Sequence, residues 1–114
     1  VIMAAERNII IYQGDTYVHE IRLRNSANAN INISTRSYSG QVRKTKTSDT
    51  IVATFTTQII DGPNGVMQFS LLPNVSSNIR SGVYYYDLQE NNSTVITTLI
   101  AGKASVQGEV TRAG

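Results

Sequence analysis

Few side chains in this 114-residue sequence could take part in catalysis or hold a metal ion. It contains a single histidine, His19, no cysteine, and eight acidic residues scattered along its length. A zinc site needs clustered cysteine, histidine or carboxylate ligands, and acid–base catalysis needs titratable groups within hydrogen-bond reach of a substrate. No two carboxylates recur at a spacing that would pair them. We therefore expect no catalytic residue, no metal site and no cofactor.

Two titratable side chains next to aromatic residues remain as candidates for binding. Asp87 directly follows three consecutive tyrosines, Tyr84 to Tyr86. On a strand it would point outward, and we expect it to pair across the sheet with an arginine or lysine. His19 falls on the inward face of its strand, where a histidine held in the core or at an edge is the ordinary outcome.

The basic residues cluster in two neighbouring segments. The cluster consists of Arg22, Arg24, Arg36, Arg43, Lys44 and Lys46. Nucleic-acid binding would need such a cluster on one face, and in single-strand binders it is interleaved with aromatic residues. Aromatic residues are missing from the cluster, and the net charge of the chain is only +2. The pattern favours a solvated or protein-binding surface over a nucleic-acid site.

The segment that positions these groups is a central β-strand at residues 82–89. Alternation places Tyr84, Tyr86 and Leu88 on its inward face. The preceding stretch has a proline, a possible helix cap and then Gly82, which can adopt a left-handed conformation. A strand, a short helical crossing and Gly-x-Tyr are typical of the E–F corner of an immunoglobulin-like sandwich. Tyr84 is then the corner tyrosine, and Tyr86 takes the position of the usual cysteine.

The remaining segments read as short strands separated by turns, which is typical of a sandwich or barrel. We predict strands at 8–13, 16–23, 37–47, 51–59, 67–71, 82–89 and 94–101, the last continuing through 104–110. Lys44 would be buried unless the third strand bulges or ends there, and Gly102 should mark a bulge. The prediction is all-β: an immunoglobulin-like β-sandwich of seven to eight antiparallel strands with one helical turn near 74–80. Residues 1–7 form an N-terminal arm and residues 8–112 a single domain.

The composition indicates the kind of surface and the cellular compartment to expect. Charged residues make up 16% of the chain, against about 25% in typical soluble proteins. Asparagine, serine and threonine supply the remaining polarity and suit turns and protein surfaces. No apolar run approaches the length of a membrane span. The lack of cysteine favours folding in a reducing cytosol.

A succession of short segments covers nearly the whole chain and resembles a known group of proteins. The segments are residues 11–17 (IYQGDTY), 38–43 (YSGQVR), 65–71 (GVMQFSL), 82–88 (GVYYYDL), 99–106 (LIAGKASV) and 109–112 (EVTR). In this order and spacing they resemble small immunoglobulin-like structural proteins of tailed bacteriophages. They are also similar to the N-terminal domains of phage baseplate and tail-fibre proteins.

The resemblance implies a non-enzymatic virion component that is assembled in the bacterial cytoplasm and present as a homo-oligomer or in repeated copies of a symmetric assembly. It would act through contacts with other virion proteins, at the tail, baseplate or fibre attachment, without a small-molecule substrate. A capsid decoration protein is the alternative within the same class. A carbohydrate-binding module that uses Tyr85 and Asp87 is the alternative from another class. The fold-defining residues are Tyr84, Tyr86, Gly82 and Leu88. The candidate interface residues are Ile2, Arg7, Tyr85, Asp87, Arg43, Lys46 and Arg112.

Overall fold

The computed structural model describes residues 5–25 and 27–108, and these residues fold into two β-sheets around one apolar core. The elements are β1 (Ala5–Glu6), β2 (Ile9–Tyr12), β3 (Tyr17–Arg22), β4 (Ser37–Arg43), β5 (Ile51–Thr54), β6 (Thr56–Asp61), β7 (Val66–Leu71), α1 (Pro73–Ser76), β8 (Gly82–Asn92) and β9 (Val95–Gln107). Within this part of the chain, no helix is long or apolar enough to cross a bilayer.

The two sheets face each other and share the core between them. The large sheet has the order β1-β9-β8-β4-β5, with β2 also paired to β9, and the small sheet has the order β3-β7-β6. β1 and β2 run parallel to β9, whereas all other strand pairs are antiparallel. The predicted all-β, immunoglobulin-like sandwich is confirmed. Two differences lie at its start: β1 falls within the residues predicted to form the arm, and β1 and β2 do not follow the predicted antiparallel arrangement. Residues 1–4 of the predicted arm and residues 109–112 lie outside the described residues.

The predicted corner forms around the tyrosine strand. After α1 the chain reaches Gly82, whose backbone φ angle is +154°. Residues that carry a Cβ atom rarely adopt this value. The buried Tyr84 donates its hydroxyl hydrogen to the Arg80 carbonyl at 2.7 Å, which is the hydrogen bond of a tyrosine corner. Tyr86 is also buried and donates to the Arg7 carbonyl at 2.5 Å. Leu88 is fully buried, so the predicted inward face of β8 is correct.

The predicted third strand, 37–47, has the correct inward face but is too long, because β4 ends at Arg43, before the inward position that Lys44 would occupy. Gly40 and Val42 are buried and Tyr38 is half-buried. β4 ends at Arg43 with a shift in its register against β5. Lys44 is therefore exposed, and its Nζ lies 4.9 Å from the centre of the Tyr84 ring.

Two details of the prediction are wrong. The expected single strand at 51–59 is two strands, because β5 belongs to the large sheet and β6 to the small one. Phe55 lies between them, buried in the core, and its N–H donates to the Gly40 carbonyl. The expected bulge at Gly102 is also misplaced: Gly102 pairs in register with Tyr86, and the β8–β9 register shifts instead at Leu88 and Gln89. Gly102 lies directly under the backbone of Arg7, and any side chain at this position would collide with the Arg7 carbonyl group.

Candidate functional site

A solvent-open groove crosses the outward face of the large sheet above β4, β8 and β9. Its volume is about 670 Å³. Three outward-facing residues of β8 line it, Tyr85, Asp87 and Gln89, because alternate residues of that strand point away from the core. Ser39 and Gln41 of β4 line it beside them. We call this feature the outer groove.

One end of the outer groove surrounds an aromatic ring with cations. Tyr85 pairs with Arg43 on one side and with Lys103 on the other, so the three side chains form a row across the sheet. The Nζ of Lys46 lies 5.6 Å from the centre of the Tyr85 ring. Arg43 is held in place, since it donates to the Ser48 carbonyl at 2.6 Å and to Oε1 of Gln41 at 2.8 Å.

The next row contains a half-buried carboxylate. The cross-strand neighbours of Asp87 are Gln41 and Ala101, so the expected pairing with an arginine or lysine directly opposite is wrong. No described residue forms a hydrogen bond or ion pair with this carboxylate. Burial raises the pKa of Asp87 above its ordinary value, and the nearby charge of Arg43 opposes that shift. Its oxygens are therefore open acceptors that face the outer groove.

The structure brings together four of the seven candidate interface residues. Tyr85, Asp87, Arg43 and Lys46 all line the outer groove. Arg7 instead lies in the exposed link between β1 and β2, where its carbonyl accepts the hydrogen bond from the Tyr86 hydroxyl. Ile2 and Arg112 lie outside the described residues.

His19 is a histidine of the sandwich edge. Its ring lies 5.3 Å from that of Phe69, measured between ring centres, and the side chain is half-buried on the inward side of β3. Burial lowers the pKa of His19, and the positive charge of Arg7 lowers it further. Within the described residues, no three His, Cys, Asp or Glu side chains come close enough to hold a metal ion.

Sequence reasoning missed a buried charged network near the turn of the β8–β9 hairpin. Glu90 is 4% exposed, accepts a hydrogen bond from Arg36 at 3.1 Å and another from the Tyr38 hydroxyl at 2.8 Å. Burial raises the pKa of Tyr38, and the hydrogen bond to Glu90 raises it further. The inward alternation of Tyr84, Tyr86 and Leu88 continues to Glu90, and this signal could have identified it. The network ties the loop before β4 to the hairpin.

The edge of β3 is a second surface that could take part in contacts with another chain. β3 lies at the border of the small sheet and, among the described strands, pairs only with β7. Its inward residues Tyr17, His19 and Ile21 are half-buried, although Phe69 opposite His19 on β7 is fully buried. The opposite border of the sandwich is formed by β5 in the large sheet and β6 in the small sheet. These two strands are joined through a single residue, so the chain itself links the two sheets at that border.

Comparisons with known proteins give the fold. No protein-family model matches the sequence, and no curated protein sequence matches it either. Among solved structures, the chain is similar to InlP of Listeria monocytogenes, with a TM-score of 0.51 and 14% identity over 90% of this chain. It spans about a quarter of that protein, 26% of its length.

Two further solved structures are similar at lower TM-scores. The Lin-41 filamin domain has a TM-score of 0.43 and 17% identity, with 86% of this chain and 82% of that domain covered. A family 123 glycoside hydrolase from Clostridium perfringens has a TM-score of 0.41 and 13% identity, with 93% of this chain and 23% of the hydrolase covered.

Proposed function

We propose that this protein is a non-enzymatic structural component of a tailed-bacteriophage virion, at the tail, baseplate or fibre attachment, that acts through protein–protein contacts. The observation that carries the proposal is the edge of β3, which no described strand covers on the side away from β7. The phage assignment rests on the succession of short sequence segments that resembles tailed-phage structural proteins. Four of these segments fall on strands of the sandwich: 38–43 on β4, 65–71 on β7, 82–88 on β8 and 99–106 on β9.

An open strand edge is a ready surface for adding a strand from another chain. Alternate residues of β3 direct their backbone N–H and C=O groups away from β7, and these groups can pair with an extended segment. Proteins often protect such edges with charged side chains, proline or a bulge; β3 has no proline or bulge, and its charged residues Glu20 and Arg22 lie on its outward face. The half-buried Tyr17, His19 and Ile21 would gain cover from an added strand. The contact would therefore supply both hydrogen bonds and apolar burial.

The proposal is tested by locating the protein in purified particles. Particles from a lysate of the strain that carries the gene are separated into heads and tails, and each fraction is analysed by mass spectrometry. Enrichment with tails supports the proposed location. Enrichment with heads would indicate the decoration-protein alternative, and absence from both fractions would refute a virion role.

The edge mechanism is tested by a charge placed on β3. Val18 lies on β3 and is 52% exposed, so Val18→Lys should fold normally while it weakens the addition of a strand. Val83, on the opposite sheet and also 52% exposed, provides the matched control Val83→Lys. We expect Val18→Lys to reduce incorporation into particles and Val83→Lys to leave it unchanged. Equal incorporation of both variants would refute the edge mechanism.

A further inference from the structure

We propose that the outer groove binds a neutral oligosaccharide, with one sugar ring on Tyr85 and hydroxyl groups of the sugar bound to Asp87 and Gln41. This inference does not depend on the proposed virion role, because it concerns the outward face of the large sheet and can be measured on the isolated chain. It rests on the combination of an open groove, an aromatic ring and a carboxylate that no described residue pairs with, all on neighbouring rows of one sheet face.

The spacing of these groups suits a sugar. Tyr85 and Asp87 are two residues apart on one strand and point to the same side, which separates them by about 6.8 Å along the strand. A sugar whose apolar ring face rests on the Tyr85 ring, on the face away from Lys46, extends its hydroxyl groups towards the next row. There the oxygens of Asp87 accept hydrogen bonds, and the amide of Gln41, directly opposite, offers further polar atoms.

The charge of the outer groove favours a neutral ligand. Its lining includes the cations Arg43, Lys46 and Lys103 and the carboxylates Glu6 and Asp87. Arg43 is already bound to Ser48 and Gln41, and Lys46 lies over the Tyr85 ring. A polyanion that extended along the groove would meet the two carboxylates. Sugar hydroxyl groups both donate and accept hydrogen bonds, so they can bind the carboxylates and the cations of the groove alike.

The same sheet face continues beyond the groove with a second aromatic residue. Tyr12 on β2 is 47% exposed, and between it and Tyr85 lie Ile10 and Val83, which flank Ser105 on the outward face. A ligand of several sugar units can therefore reach from the polar end of the groove onto this apolar strip. Binding should strengthen with the length of the oligosaccharide.

The test is a nuclear magnetic resonance titration of the full chain, labelled with ¹⁵N, against cellohexaose, maltohexaose and chitohexaose. We expect at least one of these probes to shift the amide signals of the rows around Tyr85 and Asp87. Asp87→Asn should weaken that binding about tenfold or more, because hydrogen bonds to a charged group are lost. Tyr85→Ala should abolish it, and Tyr85→Phe, which keeps the ring, should retain it.

Two controls keep the result interpretable. Asp15→Asn replaces an exposed carboxylate in the turn before β3, outside the groove, and should bind as the unmodified chain does. The amide spectrum of each variant shows whether it is folded. The proposal is overturned if none of the three probes shifts the groove signals, or if the shifts persist unchanged in folded Tyr85→Ala and Asp87→Asn.

Discussion

Removing one hydroxyl group from the tyrosine corner should measurably destabilise the domain. Tyr84→Phe deletes the donor of the 2.7 Å hydrogen bond to the Arg80 carbonyl and leaves the buried ring in place. No cavity forms, so the change isolates the hydrogen bond. That bond fixes the chain where it crosses from α1 into β8, and we expect its loss to loosen the crossing.

The size of the effect follows from the environment of the two groups. A typical hydrogen bond contributes about 0.5–1.5 kcal/mol net, and an acceptor left without a partner costs about 1–3 kcal/mol when buried. Because Arg80 is exposed, water can reach its carbonyl in part, and the lower half of that range applies. We expect a loss of about 1–2 kcal/mol. With the urea dependence usual for small domains, the unfolding midpoint should fall by about 0.5–1 M.

The assay is equilibrium unfolding in urea followed by tyrosine fluorescence and circular dichroism, since the chain has no tryptophan. Tyr85→Phe is the matched control. It removes the same hydroxyl from the next residue, which points into the outer groove and has no hydrogen-bond partner among the described residues. The control should change stability by less than about 0.5 kcal/mol. Equal losses in the two variants, or none in Tyr84→Phe, would refute the corner hydrogen bond as a stabilising contact.

Three further changes test the buried network, the glycine crossing and the histidine. Arg36→Ala leaves the buried Glu90 without its cation and should lower the free energy of unfolding, measured in urea, by about 3 kcal/mol. This is the lower end of the range for a broken buried ion pair, because Arg36 itself is partly exposed. Gly102→Ala places a methyl group against the Arg7 backbone and should cost about 1–3 kcal/mol through displacement of β1. His19 should titrate below 6.5 by nuclear magnetic resonance; its folded-state pKa is lowered, so the stability it contributes is present above pH 6.5 and is lost as the pH falls through that lowered pKa.

Each of these changes has a control within the chain. Arg22→Ala breaks an exposed pair with Glu20 and should cost about 0–1 kcal/mol, so a similar loss in Arg36→Ala would contradict the importance of burial. Gly108→Ala meets only the end of the Gln13 side chain, at an ordinary contact distance, and should be nearly neutral. Arg7→Ala should move the pKa of His19 partway back, and an unchanged value would exclude Arg7 as a cause.

Alternation in the sequence was sufficient to predict the apolar inward faces of β7 and β8. Tyr84, Tyr86 and Leu88, then Met67, Phe69 and Leu71, alternate strictly and are all buried. The cost of burying Lys44 indicated a bulge or an end of the third strand at that residue, and β4 does end at Arg43, although the predicted strand extended to residue 47. These predictions succeeded because alternation reports a side of one strand and needs no knowledge of its neighbours.

The change of sheet at Phe55 could not be read in the same way. Ala53 and Phe55 point into the core from the end of the large sheet, and Thr57 and Ile59 point into the same core from the small sheet. A strand that crosses from one sheet of a sandwich to the other keeps its inward residues inward, so the two-residue period continues across the switch. The neighbours of Asp87 could not be predicted either, because they depend on how β8 pairs with both β4 and β9. The β8–β9 register shifts between Leu88 and Gln89, close to Asp87.

The two candidate surfaces should be separable by mutation, because they belong to different sheets. The β3 edge borders the small sheet, and the outer groove lies on the outward face of the large sheet, so the core separates them. We therefore expect Val18→Lys to lower particle incorporation without changing the titration with oligosaccharides. Tyr85→Ala should abolish sugar binding without changing incorporation. Both variants are measured in both assays, and a folded variant that loses both activities would show that assembly and ligand binding share one surface.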